Sequence, residues 1–215
     1  VSSGATFRLN NSNEAIDALT GSGTVTNIVS GNTLTIGAAG GSGTFSGAIT
    51  DGSGTMTLTK SGAGTQVLSG NNTYTGLTTV SVGTLQLGSA TALGSTTGAT
   101  TVTSGAVLDL NGQTIGAEQV TLTGTGLSSN GALINSNAAA ASLSGNIPGN
   151  TYSVGGTGNI TLSGAVSGTL TKVAGNTLTL SGATDNGGLV AIASAGVLIL
   201  GKTSTGSVHA IGTAG

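Results

Sequence analysis

Charged side chains are scarce in this sequence. Lys and Arg together number 4 and Asp and Glu number 6, so charged residues make up 5% of 215 residues, against about 25% in an average soluble domain. The net charge of −2 provides no basic footprint for nucleic acid. Disordered chains usually combine high charge with few apolar residues, whereas 36% of these residues are hydrophobic. The composition therefore excludes a nucleic-acid-binding protein and disfavours disorder.

Aromatic residues, proline and cysteine are also few or absent. Two Phe, two Tyr and no Trp are too few for a globular core built on large side chains, which favours a thin, repetitive core. The lack of Cys excludes disulfides and thiolate metal sites, and a single Pro excludes collagen. The longest apolar run, residues 189–200, is shorter than the roughly 20 residues of a membrane-spanning helix. We therefore predict no membrane span in this segment.

Short runs of alternating apolar and small polar residues fill most of the chain. Residues 65–69 (TQVLS), 77–81 (LTTVS) and 83–88 (GTLQLG) are examples, and this alternation is the period of a half-buried strand. The 41 Gly residues disfavour helices, in which each Gly costs about 1 kcal/mol. The sequence thus predicts an all-β protein.

Such strands are too narrow to bury a core singly, so each must stack on a neighbour. We predict a parallel β-helix of nine or ten coils, at roughly 20–25 residues per coil. The whole chain, residues 1–215, is interpreted as a single β-solenoid with two degenerate super-repeats, about 3–103 and 104–215. It is interpreted further as a piece of a longer protein.

One recurrent eight-residue phrase predicts which side chains face inward. Alternation places Phe7, Leu85, Leu108 and Leu198 inside, together with Leu9, Leu87, Leu110 and Leu200. The intervening positions, expected outside, are Arg8, Gln86, Asp109 and Ile199. Val197 and Ile199 would then form an exposed apolar spot, which is a candidate contact patch.

No group of residues predicts catalysis, a cofactor or a metal. Residues 196–203 (GVLILGKT) match a phosphate-loop pattern but read as a strand without a following helix. The single His209 lacks an acidic neighbour in sequence. Glu14 and Asp17 are expected either to lie in a solvated loop or to share a loop that binds a cation weakly. Tyr74 and Tyr152 are expected in turns, covering a coil edge or stacking on a sugar. We expect no enzyme.

Two polar patterns predict features of a solenoid. Asn10, Asn71, Asn72, Asn111 and Asn176 border strand phrases; their side chains are expected either to form ladders along the axis or to serve as ordinary turn residues. Thr-x-Thr pairs suggest an ice-binding array, but their irregular spacing predicts a ladder that drifts between faces. These pairs are 24/26, 33/35, 55/57, 101/103, 121/123 and 177/179.

Residues 58–95 resemble a known repeat. The similarity lies in TKSGAG at 59–64, LSGNNTYTG at 68–76, TTV at 78–80 and GTLQLG at 83–88. These motifs are similar to the autotransporter-associated β-strand repeat of bacterial passenger domains and other large surface proteins. The resemblance implies a right-handed parallel β-helix, export to the bacterial cell surface and no chemistry of its own.

These observations lead to one expectation of function and two alternatives. We expect an extracellular scaffold or stalk, which self-associates end to end into fibres because little charge keeps copies apart. The first alternative is an adhesin that recognises glycans or surface proteins. The second is the ice-binding solenoid.

Overall fold

The structure is a computed structural model that describes residues 1–29, 31–183, 186 and 189–201, and the backbone of 210–212. Within these residues the regular structure is β-strand, apart from one 3-10 turn at Leu127–Ser129. Every strand pairing is parallel. The predicted all-β parallel fold is confirmed.

The strands form four sheets, each built from successive coils. A three-stranded sheet contains β1 (Thr6–Leu9), β3 (Thr24–Asn27) and β6 (Ala48–Ile49). A six-stranded sheet contains β2 (Glu14–Ile16), β4 (Asn32–Ile36), β7 (Met56–Lys60), β9 (Thr78–Val80), β11 (Thr100–Val102) and β14 (Val120–Leu122). A five-stranded sheet contains β13 (Thr114–Ile115), β16 (Ala141–Leu143), β18 (Ile160–Leu162), β20 (Thr177–Leu180) and β22 (Val197–Leu200).

The longest sheet runs along most of the column. Its nine strands are β5 (Gly43–Phe45), β8 (Thr65–Leu68), β10 (Thr84–Leu87), β12 (Val107–Asp109), β15 (Leu133–Asn135), β17 (Ile147–Gly156), β19 (Val166–Lys172), β21 (Val190–Ala193) and β23 (Ala210–Gly212). A bridge from Gly21 to Phe45 adds one further rung. The described chain therefore makes about ten turns, as predicted.

Coil length varies while strand register is kept. Paired residues are 18 positions apart at Val154 and Lys172 but 25 apart at Leu133 and Leu108. Apart from a register shift between Ile147 and Asn150 in β17, the strands pair residue for residue, so the extra residues lie in the corners between strands. A corner of variable length lets one short strand pattern stack over many coils.

Alternation along the strands builds a narrow core. In β4 and β7 every second side chain is buried, and the buried ones stack on their register partners, as Leu34 does on Leu58. Most of the core consists of Leu, Val and Ile, with Phe45 the one buried Phe among the described residues. Each aliphatic side chain removed from water contributes about 1.5–3 kcal/mol, so stability accumulates coil by coil.

Candidate functional site

The acidic residues that the structure describes do not gather into a metal site. Among the described residues, no three His, Cys, Asp or Glu side chains lie close enough to hold a metal ion. Asp17 is one of the two acids considered as a weak cation site. Its carboxylate accepts hydrogen bonds from the backbone N–H groups of Ala39 (3.1 Å) and Gly41 (2.7 Å) in the next coil. Glu14 accepts the hydroxyl of Ser12 at 2.8 Å. These contacts tie coils and loops together.

Asp109 is expected to face outward and be exposed, but this is wrong: the residue is buried, with 2% exposure. Gln86 Nε2 (2.7 Å) and Ser136 Oγ (2.6 Å) donate to Oδ2. The backbone N–H groups of Asn111 and Ser136 donate to Oδ1, each at 3.0 Å. The chain after β15 covers Asp109, and four donors replace the water it would otherwise bind.

The turn position expected for Tyr74 and Tyr152 is wrong, since both rings are in the core with 0% and 1% exposure. The Tyr74 hydroxyl lies 2.7 Å from Thr78 Oγ1, and the Tyr152 hydroxyl donates to Ser167 O at 3.2 Å. Burial raises the pKa of both phenols. Neither ring is available to stack on a sugar.

Lys60 was not singled out from the sequence, yet it is one of the most buried residues, at 1% exposure. It occupies an inward position at the end of β7, and its ammonium reaches the corner that follows. Nζ donates to the carbonyl oxygens of Ser61 (2.5 Å), Gly62 (2.8 Å) and Val82 (3.2 Å). Burial lowers the pKa of Lys60, while three acceptors match the three N–H groups of its charged form.

Lys172 repeats this arrangement at the end of β19, with 0% exposure. Its Nζ donates to the carbonyl oxygens of Val173 (2.5 Å), Ala174 (2.8 Å) and Ala195 (3.3 Å). Burial lowers the pKa of this lysine as well. A repeated Thr-Lys dipeptide, at 59–60 and 171–172, was the available sequence signal for both sites.

Asparagine side chains bind mostly to backbone of the neighbouring coils. The predicted corner residue Asn72 is buried; it accepts the N–H of Ile49 (2.9 Å) and donates to Ala92 O (2.7 Å). It therefore joins the coil before it to the coil after it. Asn27 and Asn135, which the sequence did not single out, are buried in similar backbone bonds.

The other predicted corner residues differ in burial. Asn176 is buried and donates to Gly158 O at 2.7 Å, whereas Asn10 and Asn71 are exposed. Asn111 adopts a left-handed conformation (φ 46°) and donates to Leu87 O at 3.0 Å. Its Oδ1 accepts a long bond of 3.3 Å from Asn137, which is an amide-to-amide contact between coils.

A carboxyl group is enclosed in the core beside Tyr74. Glu118 is 2% exposed; its Oε1 accepts the hydroxyl of Thr100 at 2.8 Å, and its Oε2 is buried without a partner. Burial raises the pKa of Glu118 to about 7, although the bond from Thr100 opposes this shift. The unionised acid is thus the form that the fold favours.

This enclosure predicts a pH-dependent stability. A raised pKa means that the contribution of Glu118 is complete below pH 4.5, its ordinary value, and is lost as the pH rises through about 7. We expect the wild type to lose about 2 kcal/mol between pH 4.5 and 8 through this group. In urea unfolding measured at several pH values, the free energy of unfolding of Glu118→Gln should not show this decrease. An equal pH dependence in both proteins would contradict the assignment.

Five threonines form a ladder on the outer face of the six-stranded sheet. Thr35, Thr59, Thr79, Thr101 and Thr121 are direct register partners in successive coils. The predicted Thr-x-Thr pairs do lie on different faces, since Thr24 is in the three-stranded sheet and Thr177 is in the five-stranded sheet. On the six-stranded sheet, however, the threonines stay aligned, because differences in coil length are absorbed at the corners. Within the described part of the chain, the hydroxyls of these five make no hydrogen bond to protein.

The threonines of the ladder have uncharged neighbours on their own strands; on the adjoining strand β2, where Ala15 pairs with Thr35, the exposed Asp17 follows. The outward positions two residues before and after each threonine carry no charged side chain; they are Thr33, Thr57, Leu77, Ala99 and Gln119 before, and Gly37, Ser61, Ser81, Thr103 and Thr123 after. Neighbouring rungs are about 4.8 Å apart, and alternate residues along a strand about 6.6 Å. The face is a regular hydroxyl array.

The predicted contact patch lies on β22. Val197 and Ile199 are 51% and 44% exposed. Leu200, expected inside, is also exposed, because β22 is the last strand of the five-stranded sheet and no further strand pairs with it among the described residues. Lys202, Thr203 and His209 lie outside the described residues. The phosphate-loop-like phrase is a strand over residues 197–200.

This geometry defines a β-solenoid whose interior polar groups hold its coils together. Within it, residues 58–87 match the model of the passenger-associated-transport-repeat family, which agrees with the resemblance drawn from the sequence. Comparisons with curated proteins and with solved structures gave no match. In the described residues, no helix is long and apolar enough to cross a membrane. Fold and repeat together support a passenger-type scaffold.

Proposed function

We propose that this chain is a non-enzymatic scaffold segment of a bacterial surface protein. The observation that carries the proposal is the use of interior polar side chains: Lys60, Lys172, Asn72 and Asp109 all bind neighbouring corners or coils. None of them is directed at an open site. Together with the passenger-associated repeat at 58–87, this arrangement favours a structural stalk outside the cell.

Surface exposure can be tested in cells that produce the full protein. Intact cells would be treated with a protease and probed with an antibody raised against residues 1–215, and a cytoplasmic protein would serve as the control for lysis. The scaffold proposal expects the antigen to be lost from intact cells while the control survives. Protection of the antigen until the cells are broken would oppose it.

Self-association is the finer part of the proposal, and the exposed apolar side chains of β22 support it. Replacing Val197 and Ile199 by Ser should reduce the sedimenting assemblies of purified protein at least severalfold, because exposed apolar area drives association. Thr177→Ser, on the adjacent strand β20, is the matched control. If the wild type stays monomeric at high concentration, self-association into fibres is rejected and the scaffold would consist of single rods.

The threonine ladder favours a second candidate function, the binding of ice. Five aligned hydroxyls without protein partners, at regular spacing and without charged neighbours on their own strands, suit the periodic, uncharged surface of ice. Thermal hysteresis would be measured for the wild type, for Thr79→Lys with Thr101→Lys, and for Thr161→Lys on the five-stranded sheet as the control. Ice binding expects activity in the wild type and control that the double variant lacks. A wild type without hysteresis rejects it.

The adhesin alternative stays a prediction. Stacking of a glycan on Tyr74 or Tyr152 does not support it, because both rings are buried. Binding to a glycan array by the purified chain would be the observation in its favour.

A further inference from the structure

Each buried lysine joins two different coils. Of the three acceptors of Lys60, Ser61 and Gly62 belong to the corner that directly follows it, whereas Val82 lies 22 residues further on, in the next coil. Lys172 has the same division, with Ala195 lying 23 residues further on. Each lysine ammonium therefore has all three of its acceptors only when the following coil has stacked.

The corners themselves share a backbone conformation that requires support. The residue two positions after each lysine is left-handed, with φ of 65° at Gly62 and 66° at Ala174. Glycine adopts this conformation freely, but alanine is strained there. In both corners the carbonyl of this residue accepts the lysine ammonium at 2.8 Å. The hydrogen bond from the lysine ammonium to this carbonyl is therefore present both in the corner with Gly62 and in the corner with Ala174.

The lysine is not needed to fill space. Its register partners on the six-stranded sheet are Ile36 and Val80, and Val102 continues the same inward column. Coils with an aliphatic residue at this position stack without an ammonium. The lysine thus adds a specific link at one coil of this sheet, and Lys172 adds another on β19.

We propose that the lysine of the Thr-Lys dipeptide is an internal lock, which closes on the following coil and makes the two coils open and close as one unit. The lock concerns folding and is independent of where the protein is displayed. It deepens the scaffold proposal by naming the residues that couple its coils, and it would survive a failure of the surface-exposure test.

Residue-resolved hydrogen exchange of the whole chain tests the lock. Lys60→Met keeps an unbranched side chain and removes the donors. We expect exchange at the Ser81 amide, which donates to Lys60 O, to accelerate at least about tenfold, since bonds from a charged group are among the stronger ones. The Ser194 amide, which donates to Lys172 O, should change less than about threefold. Lys172→Met should show the reverse pattern.

Thr59→Ser and Thr171→Ser are the matched controls, one residue from each lysine and outward-facing; they should leave both amides unchanged. Acceleration by the same factor at both sites would overturn the lock, because it would indicate general destabilisation. Unchanged exchange at both sites would overturn it as well.

A second measurement on the wild type covers the case in which a lysine variant does not fold. Acylation of Lys60 and Lys172 by an amine-reactive ester would be followed by mass spectrometry in native buffer and in urea. A closed lock expects native rates at least about a thousandfold slower than unfolded ones, since both groups are buried. Native rates within tenfold of the unfolded rates would overturn the proposal.

Discussion

Replacing Gly47 by Ala is expected to lower the free energy of unfolding by about 3–5 kcal/mol, which is the upper range for a single substitution. A Cβ at this position would lie 1.8 Å from the carbonyl oxygen of Gly23 in the preceding coil and 2.6 Å from the ring of Phe45. Backbone cannot yield as a flexible side chain does, so the coils would have to separate locally. Urea unfolding followed by circular dichroism measures the loss.

Gly116→Ala is the matched control for this prediction. No atom lies within 4 Å of a Cβ built at Gly116, and its φ is outside the left-handed region. The substitution should leave stability unchanged or raise it by up to about 1 kcal/mol, because it reduces the entropy of the unfolded chain. If Gly47→Ala were as mild as Gly116→Ala, the close approach of the two coils at Gly47 would be contradicted.

The strands and their stacking could be predicted because both depend on local pattern. In TMTLTK, at 55–60, Met56 and Leu58 face inward as alternation requires. A corner has no comparable period. Its length varies between coils, and register is set by which strands meet in space, so the alignment of Thr59 with Thr79 and Thr101 was not visible in the sequence.

The buried lysines were missed for a related reason. Lys is almost never fully buried unless it is paired, and here the partners are main-chain carbonyls, which no side-chain motif indicates. Tyr74 was misplaced because its neighbours, NNTYTG at 71–76, read as a turn. The segment is irregular but runs along the wall of the column, so alternate side chains, Asn72 and Tyr74, still point inward and are buried.

The two super-repeats, about 3–103 and 104–215, share a strand-corner-strand unit that contains the Thr-Lys dipeptide. In its first copy the Thr-Lys corner connects β7 of the six-stranded sheet to β8 of the nine-stranded sheet. In its second copy the corner connects β19 of the nine-stranded sheet to β20 of the five-stranded sheet. The same Thr-Lys dipeptide therefore turns the chain at two different edges of the column. The repeated sequence specifies the conformation of a corner and does not specify which two sheets the corner connects.

Replacing Gln66 by Met is expected to lower the free energy of unfolding by about 3 kcal/mol, because it leaves buried backbone groups without partners. Gln66 is fully buried in β8 and reaches past Gly43, its register partner in the coil before, to Leu19 one coil further back. Its Oε1 accepts the Leu19 N–H at 3.1 Å, and its Nε2 donates to Leu19 O at 2.9 Å. The side-chain amide thus supplies hydrogen bonds to the peptide groups of Leu19.

Two substitutions make the prediction for Gln66 specific. Gln119→Met, at an exposed position of the same amino-acid type, should change stability by less than about 0.5 kcal/mol. Gly43→Ala should destabilise as well, because a Cβ there would lie 2.7 Å from Leu19 O and 3.3 Å from Gln66 Oε1. Combined with Gln66→Met it should cost less than the sum of the two, since both disrupt the same contact. Strict additivity would show that Gln66 does not act through Leu19.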